Sequence, residues 1–330
     1  MKKVAVITGA SSGIGRASAR AFAAAGYRVG LIARSTEGLE AARREAEELG
    51  STALIVRGDV ADPEVAARLA SETEERLGPI DVWVNNAMVS ILSPVVETRP
   101  EEFRRVMEVN YLGTVSGTLA ALQRMRRRDR GTIVQIGSAL AYRSIPLQSA
   151  YCASKAAIRA FTDSLRTELL HDDSAVRLTM VQLPAVNTPQ FEVMRNRMAR
   201  RPQPVPPIFA PATIADAILY AAEHPAREMV VGGSALTAIV GQKIAPGLVD
   251  RYLARTGYDA QQQPVPDEPG RPDNLFEPLP GDRGAEGPFT SQSRGSSLQI
   301  WLREHPILGV ASCVAVATAA AALAARRRYR

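Results

Sequence analysis

The sequence predicts an α/β protein built on a doubly wound parallel sheet. Short apolar runs rich in β-branched residues recur along the chain, and amphipathic segments separate them. The first run leads straight into a glycine-rich turn and a helix. Such strand–helix alternation produces parallel strands joined by right-handed crossovers, and continuously apolar strands are typical of a sheet covered on both faces.

The predicted elements follow this alternation from the N-terminus. The first strand covers residues 4–7, an apolar run too short for a signal peptide. Five more strands and a short seventh one are predicted at 28–33, 53–56, 80–84, 132–136, 176–181 and 229–231. Helices are predicted near 14–25, 37–49, 63–77, 101–127 and 150–170. The third helix has Asp62 as its predicted N-cap and ends before Gly78.

Composition divides the 330-residue chain into one predicted α/β domain at 1–258 and two further segments. Residues 259–299 contain seven prolines among many polar residues and glycines, which predicts a disordered linker because little buried apolar surface offsets the ordering entropy. Residues 300–330 include an uncharged run at 307–325 and end in an arginine cluster. A helix over 307–325 would extend about 28 Å, close to the thickness of a bilayer core.

The apolar run at 307–325 has two interpretations. One is a C-terminal membrane anchor, either a transmembrane helix or an interfacial insertion, and the other is an Ala-rich helix that docks on the domain or on a partner. The arginines after it favour a cytoplasmic C-terminus, so insertion of the tail would run against the positive-inside rule. We expect a cytoplasmic protein, associated with membranes if the first interpretation holds.

Charge and cysteine usage exclude other function classes. The net charge of +6 lies within residues 1–258 without forming a long basic stripe, so no nucleic-acid partner is expected. Cys152 and Cys313 are too distant in sequence for a zinc or disulfide framework, and the three histidines lack metal-ligand spacing, so no metal site is expected. The nucleophile-elbow sequence of the α/β-hydrolases is missing.

The turn after the first strand has the glycine pattern of a dinucleotide site. Its spacing is G-x-x-x-G-x-G, between a predicted strand and a predicted helix. Glycines without Cβ atoms permit the close approach of a pyrophosphate, and the helix N-terminus offers free N–H groups. The predicted cofactor-binding residues of this turn are Thr8, Gly9, Ser11, Ser12, Gly13, Ile14 and Gly15.

The end of the second strand favours NADP over NAD. An NAD-selective enzyme usually has an acidic residue there for the ribose 2′-hydroxyl, whereas this chain has Ala33 followed by Arg34 and Ser35. A guanidinium matches a phosphate in charge and geometry. The alternative is a solvent-exposed arginine at a strand end.

Two more strand ends lie at the edge where open α/β sheets bind ligands. Asp59 and Val60 follow the third strand, and Asn86 and Ala87 follow the fourth. We therefore include these four residues among the predicted cofactor contacts.

A tyrosine and a lysine one helical turn apart form the predicted catalytic pair. Tyr151 and Lys155 share one face of a predicted helix, and Ser138 follows the fifth strand, where it can hydrogen-bond a substrate oxygen. A free tyrosine has a pKa of about 10, and a nearby ammonium, together with an oxidised nicotinamide, would lower it toward neutrality. An exposed helix pair is the alternative, but the dinucleotide turn upstream favours catalysis.

Over residues 3–255 the pattern resembles the classical short-chain dehydrogenase/reductase family. The resemblance rests on T-G-x-x-x-G-x-G, Asp59, N-N-A, Asn110, Ser138 and Y-x-x-x-K, in that order. It implies a seven-stranded Rossmann-type sheet and reversible hydride transfer between NAD(P) and an alcohol or a carbonyl. It also implies a homodimer or homotetramer formed through the helices at 101–127 and 150–170.

The same resemblance implies residue roles. Tyr151 would be the acid/base, Lys155 would lower its pKa and bind ribose, and Ser138 would orient the substrate. Asn110 would hold a water in a proton relay, and Thr188, in the motif that starts at Pro184, would contact the nicotinamide amide. Two positions depart from the family pattern and add bulk near the nicotinamide end, namely Met88 after N-N-A and Ala185 after Pro184.

The segment at about 190–211 would close the substrate pocket in this family. Phe191, Met194 and Met198 recur there at helical spacing, which predicts an apolar stripe that either lines the pocket or packs on the domain. A pocket lining would favour a bulky apolar substrate. The main hypothesis is an NADP-dependent oxidoreductase that interconverts an alcohol and a ketone or aldehyde. The alternative is a non-catalytic dinucleotide-binding sensor, or a membrane-tethered scaffold, with the same fold.

Overall fold

A computed structural model describes residues 2–296 and contains a seven-stranded parallel sheet. Its strands are β1 (Val4–Thr8), β2 (Arg28–Ala33), β3 (Ala53–Arg57), β4 (Val82–Asn85), β5 (Thr132–Ser138), β6 (Arg177–Leu183) and β7 (Glu228–Val230). Their spatial order is β7-β6-β5-β4-β1-β2-β3, and each neighbouring pair is parallel. The sheet confirms the predicted fold class, and the direction of winding changes between β1 and β4, which opens a crevice there.

Helices connect the strands on both faces of the sheet. They are α1 (Gly13–Ala24), α2 (Thr36–Glu48), α3 (Pro63–Leu77), α4 (Pro100–Val106), α5 (Gly113–Arg128), α6 (Ser149–His171), α7 (Pro211–Glu223), α8 (Gly233–Ile244) and α9 (Pro246–Thr256). The helix predicted near 101–127 consists of α4 and α5, joined by the π-helical segment Met107–Leu112. Asp62 caps α3 as predicted, since its carboxylate accepts the Glu64 N–H at 2.9 Å.

Smaller strand pairs hold the loops at the edge of the domain. Ile91–Leu92 pairs with Arg195–Asn196, and Arg200–Pro202 pairs with Gln262–Pro266. A three-stranded sheet joins the last small strands, which are Ala185–Val186, Ile208–Phe209 and Ser293–Arg294.

The continuous apolar character of β1 follows from burial on both faces of the sheet. Successive side chains of a strand point to opposite faces. Ala5 and Ile7 therefore join the core between the sheet and one helix layer, while Val4 and Val6 join the core on the other face. All four side chains are fully buried, as expected of a central parallel strand.

The structure differs from the disordered linker predicted at 259–299, because residues 259–296 fold against the domain. Leu275 is fully buried in the same core cluster as Trp83, and Phe289 is also buried. We call residues 271–294 the C-terminal strap. Prolines restrict the unfolded chain and so reduce the entropy lost on ordering, which lets a few buried anchors hold a proline-rich segment.

The apolar helix predicted at 307–325 lies outside the described residues. Its membrane association and the cytoplasmic location of the protein stay predictions. Among residues 2–296, the structure has no helix that combines the length and the hydropathy needed to cross a membrane.

Truncation of Leu275 tests whether the C-terminal strap belongs to the folded core. We expect Leu275→Ala to lower the free energy of unfolding by about 2–5 kcal/mol, because it leaves a cavity among buried side chains. Val265→Ala, at a side chain that is 43% exposed, should change it by less than about 0.5 kcal/mol. Denaturant unfolding measures both, and equal small effects would contradict the packing of the strap.

Candidate active site

The glycine turn between β1 and α1 lies against the end of β4. Gly9 and Gly13 have φ values of +68° and +56°, in the left-handed region that favours glycine. A Cβ on Gly9 would lie 2.8 Å from the Ala87 Cα, and a Cβ on Gly15 would overlap the Gly9 carbonyl oxygen. This cradle of bare backbone at a helix N-terminus fits the pyrophosphate of a dinucleotide.

An open cleft extends from this turn across the carboxyl ends of β1, β2, β3 and β4. Most of the predicted cofactor contacts line it: Gly9, Ser11, Ser12, Gly13, Ile14, Arg34, Ser35, Asp59, Val60, Asn86, Ala87 and Thr188. Met88, the first departure from the family pattern, lines it too. The cleft therefore collects residues from several strand ends, as the parallel sheet requires.

Five predicted cofactor contacts are not among the lining residues of this cleft in the described chain: Thr8, Gly15, Tyr151, Lys155 and Pro184. Thr8 instead supports the cleft from below. Its hydroxyl accepts the N–H groups of Asn86 and Ala87 at 2.9 and 3.0 Å, which ties the end of β1 to the end of β4.

Arg34 is not the solvent-exposed arginine of the alternative interpretation. Its side chain is 19% exposed and lies 4.0 Å from the Asp59 carboxylate, which also pairs with Arg105. Burial lowers the pKa of Arg34 below its ordinary value, and the neighbouring Asp59 opposes that shift. The guanidinium donates to two carbonyl oxygens of the strap, those of Phe276 at 2.7 Å and Asn274 at 2.5 Å.

The structure brings the three predicted catalytic side chains together. Ser138 ends β5, Tyr151 lies in the first turn of α6, and Lys155 follows one turn later. The Tyr151 phenol and the Ser138 hydroxyl share a hydrogen bond. The Lys155 Nζ lies 5.6 Å from the centre of the Tyr151 ring and donates to the Ile136 carbonyl at 2.8 Å.

In the protein without cofactor, burial is the largest influence on the pKa values of Tyr151 and Lys155. It raises the pKa of Tyr151 to about 12, although the hydrogen bond from Ser138 opposes the rise, and it lowers the pKa of Lys155 to about 8. The predicted lowering of the tyrosine pKa by Lys155 is therefore not seen here. A low-dielectric site penalises the charged form of each group, and the phenolate gains stabilisation only when further positive charge is added nearby.

Asn110 lies in the π-helical segment and is fully buried. Its amide exchanges two hydrogen bonds with the backbone of Val89, at 2.8 and 3.0 Å, and donates to the Ser154 hydroxyl at 3.0 Å. Ser154 in turn donates to the Tyr151 carbonyl at 2.7 Å. Asn110 thus connects the loop after β4 to the helix that carries Tyr151, and the water expected beside it stays a prediction.

The helical stripe predicted at Phe191, Met194 and Met198 is wrong in its geometry. The helix there covers only Gln190–Val193, and the chain then extends to pair with Ile91–Leu92. Arg195 and Arg197 both reach the buried carboxylate of Glu102, which favours the extended path over a continued helix. The three side chains nevertheless pack together, around Leu92 and Leu147.

Sequence reasoning missed the contribution of the C-terminal strap to the cleft. Five of its residues line the cleft: Asn274, Pro278, Leu279, Gly281 and Arg283. Their proline-rich context predicted disorder, and the apolar residues that anchor the strap, Leu275 and Phe289, were the available sign of folding.

Comparisons with known proteins place the chain in a family. A family model described as short chain dehydrogenase matches residues 3–199. The uncharacterized oxidoreductase YxnA of Bacillus subtilis is 34% identical over 286 residues, which cover 86% of this chain and 80% of the relative. Dehydrogenase/reductase SDR family member 7B of Bos taurus is 38% identical over 267 residues, covering 76% of this chain and 80% of the relative.

Solved structures agree with this assignment. An alcohol dehydrogenase from the archaeon Thermococcus sibiricus, complexed with 5-hydroxy-NADP, has a TM-score of 0.60 at 32% identity, covering 70% of this chain and 95% of that chain. A short-chain dehydrogenase from Streptomyces avermitilis has a TM-score of 0.65 at 30% identity, covering 78% and 98%. The chain belongs to the short-chain dehydrogenase/reductase family and is an NAD(P)-dependent oxidoreductase.

The buried ammonium of Lys155 makes stability depend on pH. Its pKa of about 8 in the folded protein lies below the ordinary value of 10.5, so the unfolded chain binds more protons between these values. The contribution of Lys155 to stability therefore rises as pH increases from 8 to 10.5. Below pH 8 the folded protein carries the full cost of a buried charge.

We expect Lys155→Met to be more stable than the wild type at pH 7, and this advantage should shrink as pH rises to 10.5. Lys243→Met, at an exposed position, serves as the control and should show no such trend. Denaturant unfolding at stepped pH measures the difference. A stability difference that does not change with pH would contradict the burial of a charged Lys155.

Proposed function

We propose that the protein is an NADP-dependent oxidoreductase that interconverts an alcohol and a ketone or aldehyde, with Tyr151 as the acid/base. The observation that carries the proposal is the grouping of three side chains, with Ser138 at the end of β5 beside the Tyr151 phenol and Lys155 one helical turn along α6. These side chains lie at the carboxyl end of β5, on the same edge of the sheet as the glycine turn. A bound nicotinamide supplies or accepts the hydride.

The chain's own groups then have separate tasks. Ser138 orients the substrate oxygen, and the Tyr151 hydroxyl gives that oxygen a proton or takes one from it. With the positive charge of an oxidised nicotinamide added, the Lys155 ammonium would favour the phenolate form, because the low dielectric of the site strengthens both fields. Asn110 acts as a positioning residue through Val89 and Ser154, which hold the loop after β4 and the start of α6.

The preference for NADP is supported by the charge around Arg34. At the end of β2 the chain offers the Arg34 guanidinium and the Ser35 hydroxyl, and an acidic residue is missing at Ala33. A fork-shaped cation at this position suits a phosphate rather than a free ribose hydroxyl. Asp59, 4.0 Å from Arg34, favours the charged form of the guanidinium.

A bulky apolar substrate is supported by the cluster around Leu92, Leu147 and Met194. Phe191 and Met198 pack against this cluster. Leu147 lies just before α6, four residues from Tyr151, so the cluster borders the element that carries the proposed acid/base. The side chains of Leu92, Leu147 and Met194 are themselves buried, so only the half-buried Phe191 and Met198 can offer apolar surface to a substrate. Such a surface would favour ketones or alcohols with large hydrocarbon groups.

The second candidate is a dinucleotide-binding sensor without catalysis. It is favoured by one observation, that the strap carbonyls occupy groups expected to bind cofactor phosphates. The joint presence of Ser138, Tyr151, Lys155 and Asn110 favours the enzyme, because a binder has no need of a proton-transfer set. Assembly into a homodimer or homotetramer through α5 and α6 stays an expectation from the family resemblance.

Removal of the phenol tests catalysis. We expect Tyr151→Phe to reduce ketone reduction by about 10²–10⁴-fold while NADPH binding survives, because only the proton donor is lost. Tyr27→Phe is the control, since Tyr27 donates to Glu223 away from the cleft. NADPH oxidation with a panel of bulky ketones measures the rate, and fluorescence titration measures binding. Unchanged turnover in Tyr151→Phe would refute the mechanism.

Removal of the guanidinium tests the cofactor preference. We expect Arg34→Ala to lower the ratio of NADPH affinity to NADH affinity by about 10–100-fold, as for a charge-assisted hydrogen bond lost to a phosphate. The ratio is the readout because loss of the contacts with Asn274 and Phe276 affects both cofactors alike. Arg44→Ala, on the exposed face of α2, should leave the ratio unchanged. An unaltered ratio in Arg34→Ala would contradict the assignment.

A further inference from the structure

We propose that the C-terminal strap competes with the dinucleotide: its backbone carbonyls occupy the groups of the cleft that would bind cofactor phosphates. The proposal rests on the proposed function and adds a regulation of the same site. The strap crosses the cleft from Asn274 to Arg283 and forms part of its wall.

The first contact lies at the glycine turn. The Gly13 N–H, at the start of α1, donates to the Gly284 carbonyl at 3.0 Å. N–H groups at a helix N-terminus are the donors that a pyrophosphate uses, and a carbonyl oxygen is the neutral group that best replaces a phosphate oxygen there. The strap therefore uses a donor that the cofactor needs.

The second contact lies at the opposite end of the proposed cofactor site. Arg34, the residue assigned to the 2′-phosphate, donates to the carbonyls of Asn274 and Phe276. Two carbonyls on one guanidinium reproduce the bidentate pattern of a phosphate. The strap backbone thus occupies both the Gly13 N–H, assigned to the pyrophosphate, and the Arg34 guanidinium, assigned to the 2′-phosphate.

The ends of the strap are anchored firmly. Leu275 is buried in the core at one end, and Phe289 is buried at the other, where its ring packs edge-on against Phe191. Asn187 is fully buried and accepts the Phe289 N–H at 2.9 Å, while its own carbonyl accepts the Gly287 N–H at 3.2 Å. Gly287 packs directly on the carbonyl of Thr188, where a Cβ would overlap backbone atoms.

The middle of the strap, residues 276–284, has no buried side chain and is held by contacts near the surface. Gly281, Asp282 and Arg283 are exposed. The Gly281 N–H donates to the Glu37 carboxylate, and Asp282 lies 3.3 Å from the Arg16 guanidinium. Gly281 and Gly284 have φ values of +89° and +62°, so glycines stand where the chain turns. The middle can lift from the Gly13 N–H while both anchors stay in place, and Arg34 can leave the Asn274 and Phe276 carbonyls by a rotation of its own side chain.

Competition of this kind multiplies the apparent affinity for cofactor by the fraction of molecules in which the strap is open. The match to YxnA covers 86% of the chain, which cannot fit within residues 1–258, so the similarity between the two proteins extends into the strap. Because the strap itself is the proposed competitor, its closure over the cleft is tested in the full chain.

Hydrogen exchange of the full chain, with and without NADPH, tests the direction of the coupling. We expect NADPH to protect amides at 9–15, where the cofactor binds, and to speed exchange at 279–284, where the strap leaves its contacts. Protection of both regions would overturn the proposal, because the strap would then clamp the cofactor. Protection at 9–15 with no change at 279–284 would overturn it too, and in both cases the proposed function would stand. No protection at 9–15 would overturn both.

A matched pair of glycine variants gives an independent measurement. Gly284 and Gly270 have φ values of +62° and +72°, and a Cβ on either would meet open space. Alanine strains the left-handed backbone at both positions, but only Gly284 carries the carbonyl that accepts the Gly13 N–H. We expect Gly284→Ala to bind NADPH about tenfold more tightly than the wild type, as for a strap closed in about nine molecules of ten. Gly270→Ala should match the wild type in the same fluorescence titration. Equal or weaker binding by Gly284→Ala would refute the competition.

Discussion

The close approach of the glycine turn to the end of β4 is the constraint on which the rest of the molecule depends. Because Gly9, Gly13 and Gly15 have no side chains, the turn can lie close to its neighbours and α1 can start directly after the first strand. The N–H groups at the start of α1 then lie at the crevice. The strand order changes direction at the same point, so the neighbouring strand ends open toward that crevice. Thr8 then locks the two strand ends together through its hydroxyl. The position of the cofactor cleft therefore follows from the strand order together with the close packing of the glycine turn.

Burial, more than charge pairing, sets the chemistry of the proposed catalytic side chains. Lys155 has a neutral backbone carbonyl as its hydrogen-bond partner, and its burial lowers its pKa. Burial of the Tyr151 phenol raises the pKa of that group. A pair of this kind responds strongly to any further charge brought into the site, because little water is present to screen it. Acidic and basic side chains farther out are paired with one another, as Glu102 is with Arg195 and Arg197. Their role is to shape the loop beside the cleft.

The C-terminal strap shows how composition can mislead. Four prolines with several glycines and polar residues are the usual signs of disorder, and the strap folds nonetheless, because its few apolar residues pack against the surface of the domain. Leu275 enters the core beside Trp83, and Phe289 meets Phe191. Backbone carbonyls of the strap supply further contacts, by accepting hydrogen bonds from the Arg34 guanidinium and the Gly13 N–H. The average composition of a segment gives no information on the contacts that its individual residues make with the preceding domain.

The sequence by itself determined the order and type of the seven main strands, the glycine turn, the cap at Asp62 and the residues that meet at Tyr151. These features depend on local periodicity and on spacing within one helix or one turn, which a linear pattern records. The tertiary structure alone decided the extended path after Val193, the burial that separates the pKa values of Tyr151 and Lys155, and the course of the strap. Each of these results from contacts between residues far apart in the chain, where desolvation and long-range packing outweigh local preference.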